Sequence, residues 1–288
     1  IWGMAFVSQS KGMDYMHPFT FNGVRSLIGA AGILVYILIS RKIAGDKAAK
    51  LDWKLNVRAG LLCGIFLTIA STLQQFGIKY TSVGKAGFIT TLYIIFVPMF
   101  GIFLKKKVAP VVWAAAGMAA VGMYLLCMTE SLRLGAGDIM VFLCAIAFAI
   151  QIMTVDHYAA RIDGAVVSCI QFTVCGVVCC IGALIWGQPT FGQIQEGLGA
   201  LLYAGVLSCG VGYTLQIVGQ KGLNPTVAAL IMSLESVIAT ISGWIAYKIG
   251  FLSTDQTLTP RQIAGCVIVF AAVILVQLPP EWFRFGKK

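Results

Sequence analysis

Charge is what this chain has least of. Only 11% of its 288 residues are Asp, Glu, Lys or Arg, less than half of the roughly 25% usual in a soluble domain, so a water-facing surface cannot be built from them. Histidine is rarer still: there are two, far apart, and no pair of C-x-x-C arms with polar flanks accompanies them, which argues against a metal site. The nine cysteines, Cys63, Cys127, Cys144, Cys169, Cys175, Cys179, Cys180, Cys209 and Cys266, lie inside or at the ends of apolar runs. They read as small packing residues. A phosphate-cradling G-x-x-x-x-G-K-[ST] loop is absent, so ATP does not drive the protein directly, and no cofactor is called for. Asp156-His157 is the only close acid–histidine pair, a poor basis for the transferase chemistry of a membrane-embedded enzyme. The 21 basic residues exceed the 11 acidic ones, giving a net charge of +10, yet they fall in short clusters between apolar runs rather than in an aromatic-interleaved stripe. Nucleic acid is therefore not the expected partner.

Long apolar runs are present instead. The chain is 59% hydrophobic, with a mean hydropathy of +0.88, which places it in a lipid bilayer. Runs long enough to cross as helices lie at about 19–40, 57–78, 85–104 and 108–128, and the pattern then restarts at 139–158, 165–186, 194–218, 226–249 and 261–278. The run 1–9 is half the length of a span, so the first helix is expected to begin upstream of Ile1. Every span must be helical, because an unpaired backbone amide in hydrocarbon costs several kcal/mol. The expected fold is an all-α membrane protein of about ten helices, with a first unit at 1–130 and a second at 131–288.

Lys and Arg set the orientation. Arg41, Lys42, Lys47, Lys50, Lys54, Arg58, Lys105, Lys106, Lys107, Arg161 and Lys221 share one side with the tail residues Arg284, Lys287 and Lys288, against few on the other. By the positive-inside rule both termini are cytoplasmic, in an integral plasma- or inner-membrane protein with many spans. Sliding the chain by 142 positions superposes Thr72, Leu73, Gln74, Gly77, Lys79, Ala86, Ile89 and Leu92 on Thr214, Leu215, Gln216, Gly219, Lys221, Ala228, Ile231 and Leu234, each pair identical. Two copies of an odd-numbered unit must lie upside down relative to one another, an architecture of secondary transporters with the substrate near the midplane.

The stretches TSVGKAGFITTLYIIFVP and LNPTVAALIMSLESVIA, together with IWGMAFVSQ at the start and PFTFNGVR before the second span, resemble the EamA-like branch of the drug/metabolite transporter superfamily. The resemblance covers essentially the whole chain. It implies ten helices as two inverted five-helix repeats around a central cavity, and transport or export of small metabolites such as amino acids. One departure is Ser236, which stands where the family usually has proline after Ser-Leu-Glu, so the resemblance does not carry a kink to that point.

Glu235 is the sharpest candidate, since a carboxylate near the middle of a span costs roughly 2.5–3.5 kcal/mol to insert and must face protein or water. It can carry a proton or counter a substrate amine, or hold helices together as a structural acceptor. Lys85 opens the fourth span at the positive end of its helix, where it disfavours the dipole, and helical spacing puts Phe88, Ile89, Leu92 and Tyr93 on the same face. Arg25, Gln74, Gln216 and Tyr213 add polar groups inside apolar runs, and Trp2 is a candidate cavity wall. Gly84 and Gly222, in the polar elbows before the fourth and ninth spans, are hinge candidates. The expected function is a secondary transporter exporting a small organic metabolite, an amino acid or similar, by alternating access, with Glu235 as the candidate for proton coupling. The alternatives are a facilitative carrier or channel for another solute, such as a nucleobase or flavin-like ring, and a membrane-embedded transferase. The partners are the small-molecule substrate and the lipid bilayer, and a homodimer is compatible with the sequence.

Overall fold

The structure, a computed structural model, describes residues 1–45, 51–81, 83–105, 109–127, 135–251 and 257–277. Its elements are α1 (Trp2–Gly12), α2 (Pro18–Ala44), α3 (Trp53–Tyr80), α4 (Val83–Thr91), α5 (Tyr93–Phe103), α6 (Pro110–Cys127), α7 (Ala136–Ala159) and α8 (Gly164–Gly182). There follow α9 (Phe191–Glu196), α10 (Leu198–Leu202), α11 (Tyr213–Gly219), α12 (Pro225–Met232), α13 (Leu234–Lys248) and α14 (Pro260–Gln277). Wider π-helical turns continue α8 through Ala183–Gly187 and join α10 to α11 through Tyr203–Gly212.

The polar residues between the apolar runs act as stops and caps. Asp52 accepts from the Leu55 amide at 3.0 Å and opens α3, Asp163 accepts from Ala165 and Val166 at 3.0 and 3.2 Å and opens α8, and Asn224 with Pro225 opens α12. Among the described residues seven helical stretches are long and apolar enough to cross a membrane: Pro18–Ala44, Trp53–Tyr80, Ala86–Phe103, Ala136–Ala159, Gly164–Gly187, Leu198–Gly219 and Pro225–Lys248. Pro110–Leu125 and Pro260–Leu275 are apolar but shorter, and α1 has 11 residues. Among the described residues the protein is all-α, and its seven long apolar helices make it a multi-pass membrane protein.

Burial differs from that of a soluble protein in that apolar residues form the outside as well as the core. Asn22, Gln75, Gln151 and Gln171 are fully buried, whereas Leu38, Ile43 and Phe103 are exposed at 61%, 82% and 80%. With lipid outside, apolar surface costs nothing there and polar groups must find partners within the bundle. The principal packing pairs are α3 with α7, α2 with α8, α6 with α14, and α3 with α8, followed by α2 with the Tyr203–Gly212 stretch and α1 with α13. α3 and α7 meet backbone to backbone at Gly77 and Gly137: a Cβ on Gly77 would lie 2.9 Å from the Gly137 carbonyl oxygen. Only small residues allow that approach.

Two spans that read as continuous are broken. The fourth divides at Leu92 into α4 and α5, and the ninth divides at Ser233 into α12 and α13. Neither break sits at a proline; Pro98 lies inside α5 without ending it. Instead a hydroxyl caps each broken end from within. Thr91 Oγ1 donates to the Phe88 carbonyl at 2.9 Å, and Ser233 Oγ donates to the Leu230 carbonyl at 2.7 Å. Such back-bonding bends helices and satisfies carbonyls released from the ladder.

Candidate functional site

Glu235 lies in the first turn of α13, immediately after its break, and Tyr93 opens α5, immediately after the other. Tyr93, 4% exposed, donates its hydroxyl to Glu235 Oε1 at 3.0 Å across the junction of the two broken helices. The two residues are 142 positions apart, the spacing of the repeat.

This pair borders a buried cavity of about 50 Å³, room for a few water molecules or a small solute. Its polar wall comprises Gln9, Arg25, Gln74, Thr90, Gln151, Ser208, Gln216 and Glu235, and its rings are Trp2, Phe6, Tyr93, Phe148 and Tyr213. Several wall residues are themselves partners at the same 142-residue spacing: Phe6 with Phe148, Gln9 with Gln151, Gln74 with Gln216, Thr90 with Met232, and Tyr93 with Glu235. Arg25 has an apolar counterpart, Val167.

The amides are tied into the bundle. Gln74 Nε2 donates to Thr90 Oγ1 at 3.3 Å, Gln216 Nε2 to Gln151 Oε1 at 3.3 Å, and Gln151 Nε2 to Gln171 Oε1 at 3.4 Å. Trp2 donates its indole N–H to the Ser208 carbonyl at 3.4 Å, and its ring centroid lies 4.7 Å from that of Tyr213, which in turn meets Phe172 edge-on at 5.1 Å. Arg25 is 6% exposed; its guanidinium lies over the Phe21 ring at 5.4 Å, and its Nε has no hydrogen-bond partner. Among the described residues the one ion pair is Lys11–Asp14, and neither Arg25 nor Glu235 takes part in one. Nor does any group of three or more His, Cys, Asp or Glu among the described residues gather as metal ligands.

Of the residues singled out in the sequence, the structure brings Trp2, Arg25, Gln74, Tyr93, Tyr213, Gln216 and Glu235 to one cavity. Phe88 lies elsewhere, its ring facing Tyr124 at 6.4 Å. The Lys85 backbone is in α4, and its side chain lies outside the described residues. Gly84 is inside the first turn of α4 rather than in the link, whose Thr81 is extended. Gly222 occupies the turn between α11 and α12 at φ +79°, a conformation that favours glycine, with open space around its Cα. Gln9 ends the apolar run 1–9, where polarity needs no explanation, and Thr90 lies inside a span, where a hydroxyl can bond its own helix.

Spanning helices around a buried cavity that holds an unpaired cation and a carboxylate define a membrane transporter. A family model of EamA-like transporters matches residues 1–128 and 135–278. The chain belongs to the EamA-like transporter family. It is 27% identical over 284 residues to an uncharacterized transporter of Archaeoglobus fulgidus, covering 96% of this chain and 82% of that one. It is 24% identical over 285 residues to the uncharacterized transporter YwfM of Bacillus subtilis, covering 97% and 91%. One solved crystal structure shares its fold with a TM-score of 0.77 at 16% identity, covering 100% of this chain and 95% of that one.

Proposed function

We propose that this chain is a secondary transporter that moves a small zwitterionic metabolite by alternating access, taking the substrate carboxylate at Arg25 and its amine at Glu235. One observation carries the reading: a buried guanidinium and a carboxylate face one cavity, and neither is ion-paired to the protein. A buried charge without a counter-ion is unfavourable, and a zwitterion supplies both missing partners at once. Lys85, near the start of α4, is a second candidate cation for the carboxylate, and export is the direction proposed on the family resemblance.

The movement would use the broken helices. A substrate ammonium arriving at Glu235 competes with the Tyr93 hydroxyl, the bond that joins α5 to α13. Its release would let α4–α5 and α12–α13 separate, with Gly222 absorbing backbone rotation. A proton on Glu235 would do the same work in the return step, coupling transport to a proton gradient. The two units, 1–130 and 131–288, would then be inverted repeats exchanging roles. Their support is the spacing of 142 across the cavity wall and the packing neighbours, which swap in pairs. α1 packs on α13 as α7 packs on α4 and α5, and α3 packs on α8 as the Tyr203–Gly212 stretch packs on α2.

Counterflow of amino acids in proteoliposomes tests the proposal. Arg25→Gln should raise KM about ten-fold or more, the loss of one charged hydrogen bond. Glu235→Gln should retain counterflow but lose its response to an imposed pH gradient. Wild-type KM in the first variant together with wild-type gradient dependence in the second would overturn the assignment.

A further inference from the structure

Basic residues at the ends of the spanning helices are satisfied in different ways. Lys11 pairs with Asp14, Arg161 donates to the His157 carbonyl, and Arg261 lies over the Tyr124 ring at 5.2 Å. Lys54 and Arg58, in the first two turns of α3, are exposed, and among the described residues neither has an ion-pair, hydrogen-bond or ring partner. Two cations there oppose the positive end of the helix dipole, so helix stability does not account for them. The positive-inside rule accounts for a basic excess at this edge of the membrane, but not for the place of the charges around the helix.

They stand beside a groove. Trp53, Lys54, Val57, Arg58, Leu61 and Leu62 line an open-sided space of about 640 Å³ along α3. Trp53 is 60% exposed at the helix start, the level at which indole rings meet headgroups. Val57, Leu61, Ile65 and Ile69, each between 40% and 50% exposed, follow at every fourth position and form one aliphatic ridge about 18 Å long. That is close to the depth of one leaflet, half of a hydrocarbon core about 30 Å thick. The other side of α3, with Asn56, Ala59, Cys63 and Leu67, is buried in the bundle.

We propose that the exposed side of α3 binds one anionic phospholipid of the surrounding bilayer, with its phosphate between Lys54 and Arg58, the Trp53 ring against the headgroup region, and an acyl chain along the aliphatic ridge. Charge complementarity selects the occupant. A zwitterionic headgroup brings an ammonium that the two cations repel, whereas a phosphate bearing a neutral glycerol keeps its full charge for the guanidinium fork and the lysine. Asp52, one residue before Trp53, has Oδ1 committed to the Leu55 amide at 3.0 Å. A second copy of this chain is a poorer fit, since a two-fold contact through this face would set both cations against their own copies.

Dibrominated phosphatidylglycerol, titrated against the purified protein in phosphatidylcholine vesicles, reads the site through quenching of tryptophan. The part of the quenching lost in Trp53→Phe reports this position. The wild-type protein should bind phosphatidylglycerol about ten-fold or more tightly than dibrominated phosphatidylcholine at low salt. Lys54→Gln/Arg58→Gln should bring the two affinities to within about three-fold of each other. Lys221→Gln/Lys248→Gln, which removes the same charge near the ends of other helices, should leave the preference in place. The preference is a ratio taken within one preparation, so a loss of folded protein cancels. Equal affinities in the wild type overturn the assignment, as does a preference that survives in Lys54→Gln/Arg58→Gln. An equal loss in Lys221→Gln/Lys248→Gln also overturns it, because net charge rather than this site would then attract the lipid. Quenching unchanged by Trp53→Phe would place the lipid elsewhere and overturn it too.

Discussion

Single residues in this protein differ in how openly the sequence declares them. Glu235 stands out because a carboxylate inside an apolar run has few structural excuses. Arg25 is visible in the sequence as a cation near the start of a span, but that it lines the same cavity as Glu235 depends on how α2 and α13 come together. His17 is a quieter case. It precedes α2, accepts the Phe19 amide on Nδ1 at 3.4 Å, and packs edge-on against Phe76 at 5.5 Å. Burial, with the nearby Lys79 charge, holds its pKa below the usual 6.5. The neutral ring is therefore favoured in the folded state, and its contribution is fully present above pH 6.5 and lost as pH falls through the lower folded value. Acidification from about pH 7.5 to about pH 5 should lower the wild-type melting midpoint more than that of His17→Asn, which keeps a capping acceptor but does not titrate. Parallel pH profiles for the two proteins would show that the ring nitrogen does not act as the cap.

At the scale of the element, the breaks in the fourth and ninth spans are the informative features. Proline was the expected marker, and its absence after Glu235 spoke against a kink there. The chain breaks all the same, at Leu92 and Ser233, under the hydroxyls of Thr91 and Ser233, which are themselves 142 positions apart. Serine and threonine inside a span bond to lipid-sheltered carbonyls as readily as they cap a bend. Their presence alone cannot tell a break from a continuous helix. Removing the hydroxyls should show what they hold. Thr91→Val and Ser233→Ala should each lower stability by about 1 kcal/mol in detergent unfolding. The double variant should slow counterflow turnover more than it raises KM, since the broken ends move but do not touch substrate. A double variant that changes KM alone would place these hydroxyls in the binding site instead.

For the whole molecule, the distribution of Lys and Arg and the odd number of spans per unit predict that the two units cross the membrane in opposite senses. The links after α3 and after α11 are related by the repeat, since Lys79 and Lys221 occupy equivalent positions. A cysteine introduced at Thr81 in a cysteine-free background should react with a membrane-impermeant thiol reagent in intact cells. One at Gly222 should react only in inside-out vesicles. Labelling of both from the same side would exclude inversion.

Membership in a bilayer was determined by the sequence alone, because hydropathy and charge runs are properties of the linear chain, and the fixed offset of 142 is likewise read there. The tertiary structure decided which polar groups meet. Tyr93 and Glu235 bond at 3.0 Å, and Gln216 engages Gln151. Those meetings depend on how helices far apart in sequence cross, which the periodicity of any one helix cannot express.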